Sequence, residues 1–227
     1  MSHYEKAWQA VAERIARATS IAGRASGSVR LLAVSKTFPA EAVRAVHAAG
    51  QRAFGENQVQ EGAAKRQALA DLPDAEWHLI GPLQANKTRV AAANFDWVES
   101  LDRLKIAQRL SAQRPPSMAP LDVLVQVNVS GEASKSGVAP GEALTLARGV
   151  AALPRLRLRG IMGIPEATED ALQQRAQFRR LRECLEQCVA AGLAMDTLSM
   201  GMSADLEAAI AEGATQVRVG TAIFGAR

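Results

Sequence analysis

The sequence predicts an α/β fold, a single (β/α)8 TIM barrel spanning residues 1–227 with an additional N-terminal helix. Three observations predict it. Short apolar runs alternate with longer helical stretches along the chain, the pattern of parallel strands joined by crossover helices rather than of hairpins. About eight such runs can be counted, the number that closes a barrel. A doubly wound open sheet would give the same alternation, but no GxGxxG follows the first strand, and the richest glycine sites lie after the last strands instead.

Each element has a local reason. The opening segment places Trp8, Val11, Ala12, Ile15 and Thr19 together at helical spacing and ends at Gly23. The first strand is Arg30 to Lys36 (RLLAVSK), and the helix after it, Pro39 to Ala49, has proline at its start and Gly50 past its end. A short second strand, Arg52 to Gly55, precedes a helix from Asn57 to Ala70; the third, Glu76 to Ile80, leads through Gly81-Pro82 to a helix over Asn86 to Ala93. The fourth strand, Asp96 to Glu99, precedes a helix from Asp102 to Gln113 that stops before Pro115-Pro116. The fifth, Leu121 to Val129, is nearly all branched or apolar and empties into SGEASKSG. A helix from Pro140 to Ala152, a sixth strand from Leu156 to Met162 and a long helix from Glu169 to Ala191 follow, the last stopped by Gly192. The seventh strand is Met195 to Ser199, a helix starts after Ser203, and the eighth strand is Gln216 to Val219. Only a few residues follow it, so the N-terminal helix is expected to cover the last strand.

Composition narrows the function. With 48% hydrophobic, 22% charged and 4% aromatic residues the chain is neither disordered nor fibrous. The net charge of +4, from 27 basic and 23 acidic residues, is too small and too scattered for a nucleic-acid footprint. No apolar run approaches a bilayer span, and the charged amphipathic N-terminus has no signal-peptide core, so a cytoplasmic location is expected. Cys184 and Cys188 share one helical face as packing residues, and His3, His47 and His78 show no zinc-type spacing. No metal is expected.

In a barrel, reactive groups sit just after the C-terminal ends of the strands. Among the six lysines, Lys6, Lys65, Lys87 and Lys105 fall on or at the start of helices with polar neighbours, and Lys135 lies in a Ser/Gly loop. Lys36 ends an apolar strand, where partial burial would favour the neutral amine that attacks aldehydes; the other reading is a strand-end lysine reaching to water. At the far end of the chain, Ser203 can cap a helix whose free N–H groups favour anions, and Gly201 permits close backbone approach. Gly220 and Thr221 follow the eighth strand, so both groups lie where barrels often bind phosphate. Asp205 would repel a phosphate and is expected to face outward. Arg218 alternates with valines, pointing either into the barrel mouth or out to a helix salt bridge. Asn57 either caps its helix or orients a ligand. His78 reads as a satisfied barrel residue, and the alternating RLRLR of residues 155–159 as a solvated or salt-bridged strand face rather than a nucleic-acid contact.

A strand-end amine after the first strand of the barrel and a phosphate cup after the last two together suggest a phosphate-bearing aldehyde. The segments AVSKTFP, FGENQVQE, WHLIGPLQANK, VNVSGEASKSG, GIMGIP, LSMGMSADLEAAI and VRVGTAIFGAR, in that order and over nearly the whole chain, resemble the pyridoxal-phosphate homeostasis protein family. This family is similar in fold to the barrel domain of alanine racemases and ornithine decarboxylases, without their additional β-domain. The resemblance implies that Lys36 forms a covalent aldimine with pyridoxal 5′-phosphate (PLP), the active form of vitamin B6. It also implies that Ser203, Gly220 and Thr221 hold the phosphate, that Arg218 faces the pyridine nitrogen, and that Asn57 and Met202 line the pocket. It implies a carrier, buffer or regulator of PLP for apo-enzyme recipients, a monomer without established catalysis. An arginine against the pyridine nitrogen makes the ring a poor electron sink, and the single tyrosine, Tyr4, lies in the first helix rather than opposite the lysine. The alternatives are a PLP-dependent racemase or lyase, and a barrel enzyme acting on a sugar phosphate.

Overall fold

A computed structural model describes residues 2–132, 136–168 and 170–226. Lys135 and the helix start read at Glu169 lie outside the described residues. Eight parallel strands close into a barrel in sequence order, each paired with the next and β8 with β1. The chain opens with α1 (His3–Ile21), followed by β1 (Arg30–Val34), α2 (Ala40–Ala48), β2 (Ala53–Glu56) and α3 (Val59–Ala68). It continues through β3 (Glu76–Leu79), α4 (Thr88–Asn94), β4 (Trp97–Leu101), α5 (Leu104–Gln113) and β5 (Leu121–Val127). The second half runs α6 (Ala143–Ala151), β6 (Leu156–Gly163), α7 (Ala171–Ala190), β7 (Thr197–Ser199), α8 (Leu206–Ala211), β8 (Gln216–Val219) and α9 (Thr221–Phe224). Short 3-10 turns precede α4 and α6.

The N-terminal helix takes the expected place. A capping box between Ser2 and Glu5 starts it, and it buries Val11, Ile15, Ala18 and Thr19 against α2, α8 and α9. The sequence reading missed α9, a single turn after β8. Strand ends also differ. The first strand stops at Val34 because the chain turns at Ser35, whose carbonyl accepts the Phe38 N–H. The fifth stops at Val127, which then bridges Val138. Cys184 and Cys188 are buried in α7, as packing residues should be. The RLRLR stretch is salt-bridged: Arg157 and Arg159 pair with Asp122, and Arg159 also with Asp196.

The main apolar core lies between strands and helices, where alternate residues such as Ala33, Val98, Ile161, Val217 and Val219 face outward. The barrel interior is unusually polar. Arg218 donates to Ser199 Oγ and to the Gly163 carbonyl, both at 2.8 Å. Ser199 donates to Glu99 at 2.6 Å, and Gln216 donates to Glu99 at 2.7 Å. The His78 ring bonds Glu99 through Nδ1 and Glu76 through Nε2, each at 2.6 Å, and Glu76 pairs with Arg30 at 2.8 Å. His78 is therefore the satisfied barrel residue expected, stacked on Trp97 at 5.1 Å. Burial works against the imidazolium, but the two carboxylates outweigh it and hold the His78 pKa above its ordinary value. Burial likewise opposes ionisation of Glu76, yet the His78 and Arg30 contacts bring it down to about 2.

These shifts fix the sign of the pH dependence. The stability contributed by His78 is complete below its unfolded pKa of 6.5 and is lost as pH rises through its higher folded value. That contributed by Glu76 is present above 4.5 and lost as pH falls to about 2. Urea midpoints measured from about pH 5 to about pH 9 should therefore decline on the alkaline side, and His78→Gln should flatten that decline; an unchanged slope in the variant contradicts the assignment. A second expectation concerns Gly160, which follows an irregularity in the β5–β6 register and pairs with Thr197 of β7. A methyl group there would stand 1.7 Å from the Thr197 carbonyl oxygen. Gly160→Ala should cost roughly 1–3 kcal/mol, or several degrees in Tm by thermal unfolding.

Candidate functional site

At the C-terminal ends of the strands the barrel opens into a cavity of about 500 Å³, within the size range of small-ligand sites. Lys36, Asn57, Met202, Ser203, Arg218, Gly220 and Thr221 all line it. Residues from opposite ends of the sequence meet because β1 pairs with β8, with Ala33 beside Val219.

Lys36 lies two residues past β1, half-buried, in the turn that ends the strand. Arg218 is 4% exposed and points inward, which settles the two orientations left open by alternation. Among the described residues no carboxylate bonds it directly; Ser199 stands between it and Glu99. Burial lowers the Arg218 pKa, with the nearby charges of Glu99 and Asp205 opposing.

The anion-favouring part of the cavity is a pair of loops. After β7, Gly201 adopts φ +89°, and a side chain there would collide with Ala209 Cβ at 2.4 Å. This lets the loop fold tightly over α8. The N–H groups of Ser203, Ala204 and Thr221 meet no acceptor among the described residues and so remain available to an anion. After β8, Gly220 packs its Cα against β1, where a Cβ would stand 3.2 Å from the Val34 carbonyl oxygen.

Two local expectations are corrected, the helix-cap readings of Ser203 and Asn57. Ser203 does not cap the following helix, which begins at Leu206 after Asp205; its residue lies one turn earlier, in the loop. Asp205 does not line the cavity, as expected of a carboxylate beside an anion site; its Oδ1 accepts the Met202 N–H at 2.5 Å, so the carboxylate folds back on its own loop. Burial raises the Asp205 pKa, while the Met202 bond and the charges of Arg218 and Arg14 oppose. Asn57 is not a helix cap, since Gln58 precedes α3; it sits on the cavity wall with Gly81 packed on its carbonyl.

The sequence reading missed several residues around the site. Arg14 of α1 donates to the Ser203 carbonyl at 2.7 Å and pairs with Glu207, tying the N-terminal helix to the loop. Lys65 is buried rather than merely helical, and it pairs with Glu56 and Glu61. Glu99 sits inside the barrel. Period-2 alternation in WVESL places Glu99 on the face of Trp97, a signal that was present.

The family model for the alanine racemase N-terminal domain matches residues 8–227. A pyridoxal phosphate homeostasis protein of Pseudomonas aeruginosa is 62% identical over 217 residues, covering 96% of this chain and 93% of that protein. Among solved structures, PipY of Synechococcus elongatus with PLP bound is 40% identical at a TM-score of 0.81, covering 93% of this chain and 100% of that one. An unknown protein from Bifidobacterium adolescentis reaches a TM-score of 0.93 at 38% identity, covering 98% and 94%. With barrel closure and sequence in agreement over nearly its whole length, the chain belongs to the pyridoxal phosphate homeostasis protein family, built on the alanine racemase N-terminal domain fold.

Proposed function

We propose that the chain binds PLP in this cavity and acts in the cytoplasm as a monomeric carrier, buffer or regulator of the cofactor for apo-enzyme recipients, without catalysis of its own. The observation that carries the reading is that an amine, a guanidinium and a set of open N–H and hydroxyl donors line one cavity. Their chemistry fits the cofactor group by group. Lys36 supplies the amine that condenses with the aldehyde to form the aldimine, releasing water. The loops at Ser203 and at Gly220-Thr221 offer the phosphate hydrogen-bond donors. Arg218 presents a cation toward the ring nitrogen, while Asn57 and Met202 complete the walls. The bound cofactor would supply an electron sink, but one weakened by a cationic neighbour that disfavours protonation of the pyridine.

The absence of turnover is supported by the wall chemistry. Among the described residues, the titratable groups lining the cavity are Lys36 and Arg218. Tyr4 packs instead against Phe224, with ring centroids 6.0 Å apart. At the lip, Met202 is 40% and Ile164 38% exposed, which leaves water a route to the linkage and suits release over carbanion chemistry.

Borohydride reduction of the protein loaded with PLP, followed by peptide mass spectrometry, should place the pyridoxyl label on Lys36. Lys36→Ala should abolish the label and retain phosphate-driven binding, whereas Arg218→Ala should keep the label and weaken binding by about tenfold to a hundredfold. A label on another lysine contradicts the reading. So does steady racemisation or cleavage of amino acids that disappears in Lys36→Ala, which would favour an enzyme.

A further inference from the structure

The turn that carries Lys36 is held in an unfavourable conformation by a buried ionic cluster on the neighbouring βα unit. Ser35 to Phe38 form a β-turn, closed by the Phe38 N–H on the Ser35 carbonyl at 3.1 Å. Lys36 occupies its second position and Thr37 its third, where Thr37 has φ +68°. Turns with a positive angle at the third position favour glycine, and a β-branched residue is rare there. Such a conformation persists only where the surroundings over-determine it.

The surroundings are specific. The Thr37 N–H donates to Glu61 Oε1 at 2.5 Å. That same oxygen accepts from Lys65 Nζ at 2.8 Å. Lys65 Nζ also donates to the Ser35 carbonyl and to Glu56 Oε1, each at 2.7 Å, and Ser35 Oγ donates to Glu56 Oε1 at 2.6 Å. Both peptides flanking Lys36 are thereby fastened to one ammonium–carboxylate cluster at the start of α3. Glu56 is fully buried and Lys65 nearly so, which makes the anchor rigid, while Glu61 is its accessible arm, with 24% of its side chain exposed.

We propose that Glu61 and Lys65 are positioning residues that fix the backbone on either side of Lys36, so that its amine is presented to an aldehyde whose phosphate is held across the cavity. The inference rests on the proposed role of Lys36 and deepens it. Neither residue lines the cavity, so their effect falls on the orientation of the amine rather than on contact with the ligand. The step concerned is condensation of the neutral amine with the aldehyde, forming the C=N bond and releasing one water.

Glu61→Ala is the informative substitution, because the side chain is partly exposed and its loss leaves the Lys65–Glu56 pair intact. Lys65→Met would strand the buried Glu56 and can fail to fold. Two ligands separate positioning from general damage: PLP, which condenses, and pyridoxine 5′-phosphate, whose alcohol cannot. In Glu61→Ala, absorbance titration with PLP should show condensation weakened by about tenfold or more, while calorimetry finds pyridoxine 5′-phosphate bound as in the unaltered protein. Glu61→Gln should restore condensation, since the amide oxygen can still accept the Thr37 N–H. Unchanged condensation in Glu61→Ala, or equal weakening of both ligands, overturns the inference. Borohydride labelling of the unaltered protein distinguishes the two failures: a label on Lys36 with an indifferent Glu61→Ala sinks positioning alone, and a label elsewhere sinks the reading of Lys36 and this inference with it.

Discussion

The hydrogen-bonded pairing of β8 with β1 is the constraint on which the rest depends. It runs in parallel register from Arg30 beside Gln216 to Ala33 beside Val219, and it closes the barrel. Without it, Lys36 and the Gly220–Thr221 loop would be separated by the length of the chain. With it, the turn after the first strand and the loop after the last share one rim, and Gly220 can lie close to the Val34 carbonyl. The amine and the anion-favouring N–H groups become walls of one cavity as a consequence of closure.

Closure also creates an interior, and this interior is filled with charge. A fully buried His78 lies between two carboxylates, and Glu99 then reaches Arg218 through Ser199. Charge at such depth is costly unless it is paired or hydrogen-bonded; His78 meets Glu76 and Glu99 directly, whereas Arg218 is held by the Ser199 hydroxyl and the Gly163 carbonyl. The chain of contacts leads from Arg30 at the N-terminal end of the barrel to the floor of the cavity. Arg218 ends it with both terminal nitrogens committed, to a hydroxyl and to a backbone carbonyl. Its position is therefore set by the barrel and not by a ligand.

Much of this was legible in the sequence. Eight apolar runs gave the barrel, and the strand ends gave Lys36, Ser203, Gly220 and Thr221, because backbone periodicity and strand-end position are local properties. Alternation alone placed Arg218 on one of two faces, and only closure decides which. What stayed illegible depends on long-range geometry. Asp205 folds back onto Met202 through a loop shape set by Gly201. Lys65 looks like a solvated helical lysine until β1 and α3 are brought together, and Thr37 gives no sign of its left-handed backbone. The one-turn α9 is too short to announce itself by periodicity.

The most direct test of the central claim is a crystal structure of the protein grown with pyridoxal 5′-phosphate. The account predicts one molecule spanning the cavity, with its aldehyde carbon joined to Lys36 Nζ and its phosphate within hydrogen-bond distance of the loops at Ser203 and Thr221. A cofactor bound outside the barrel mouth, or one joined to Lys36 with its phosphate directed away from both loops, would contradict it.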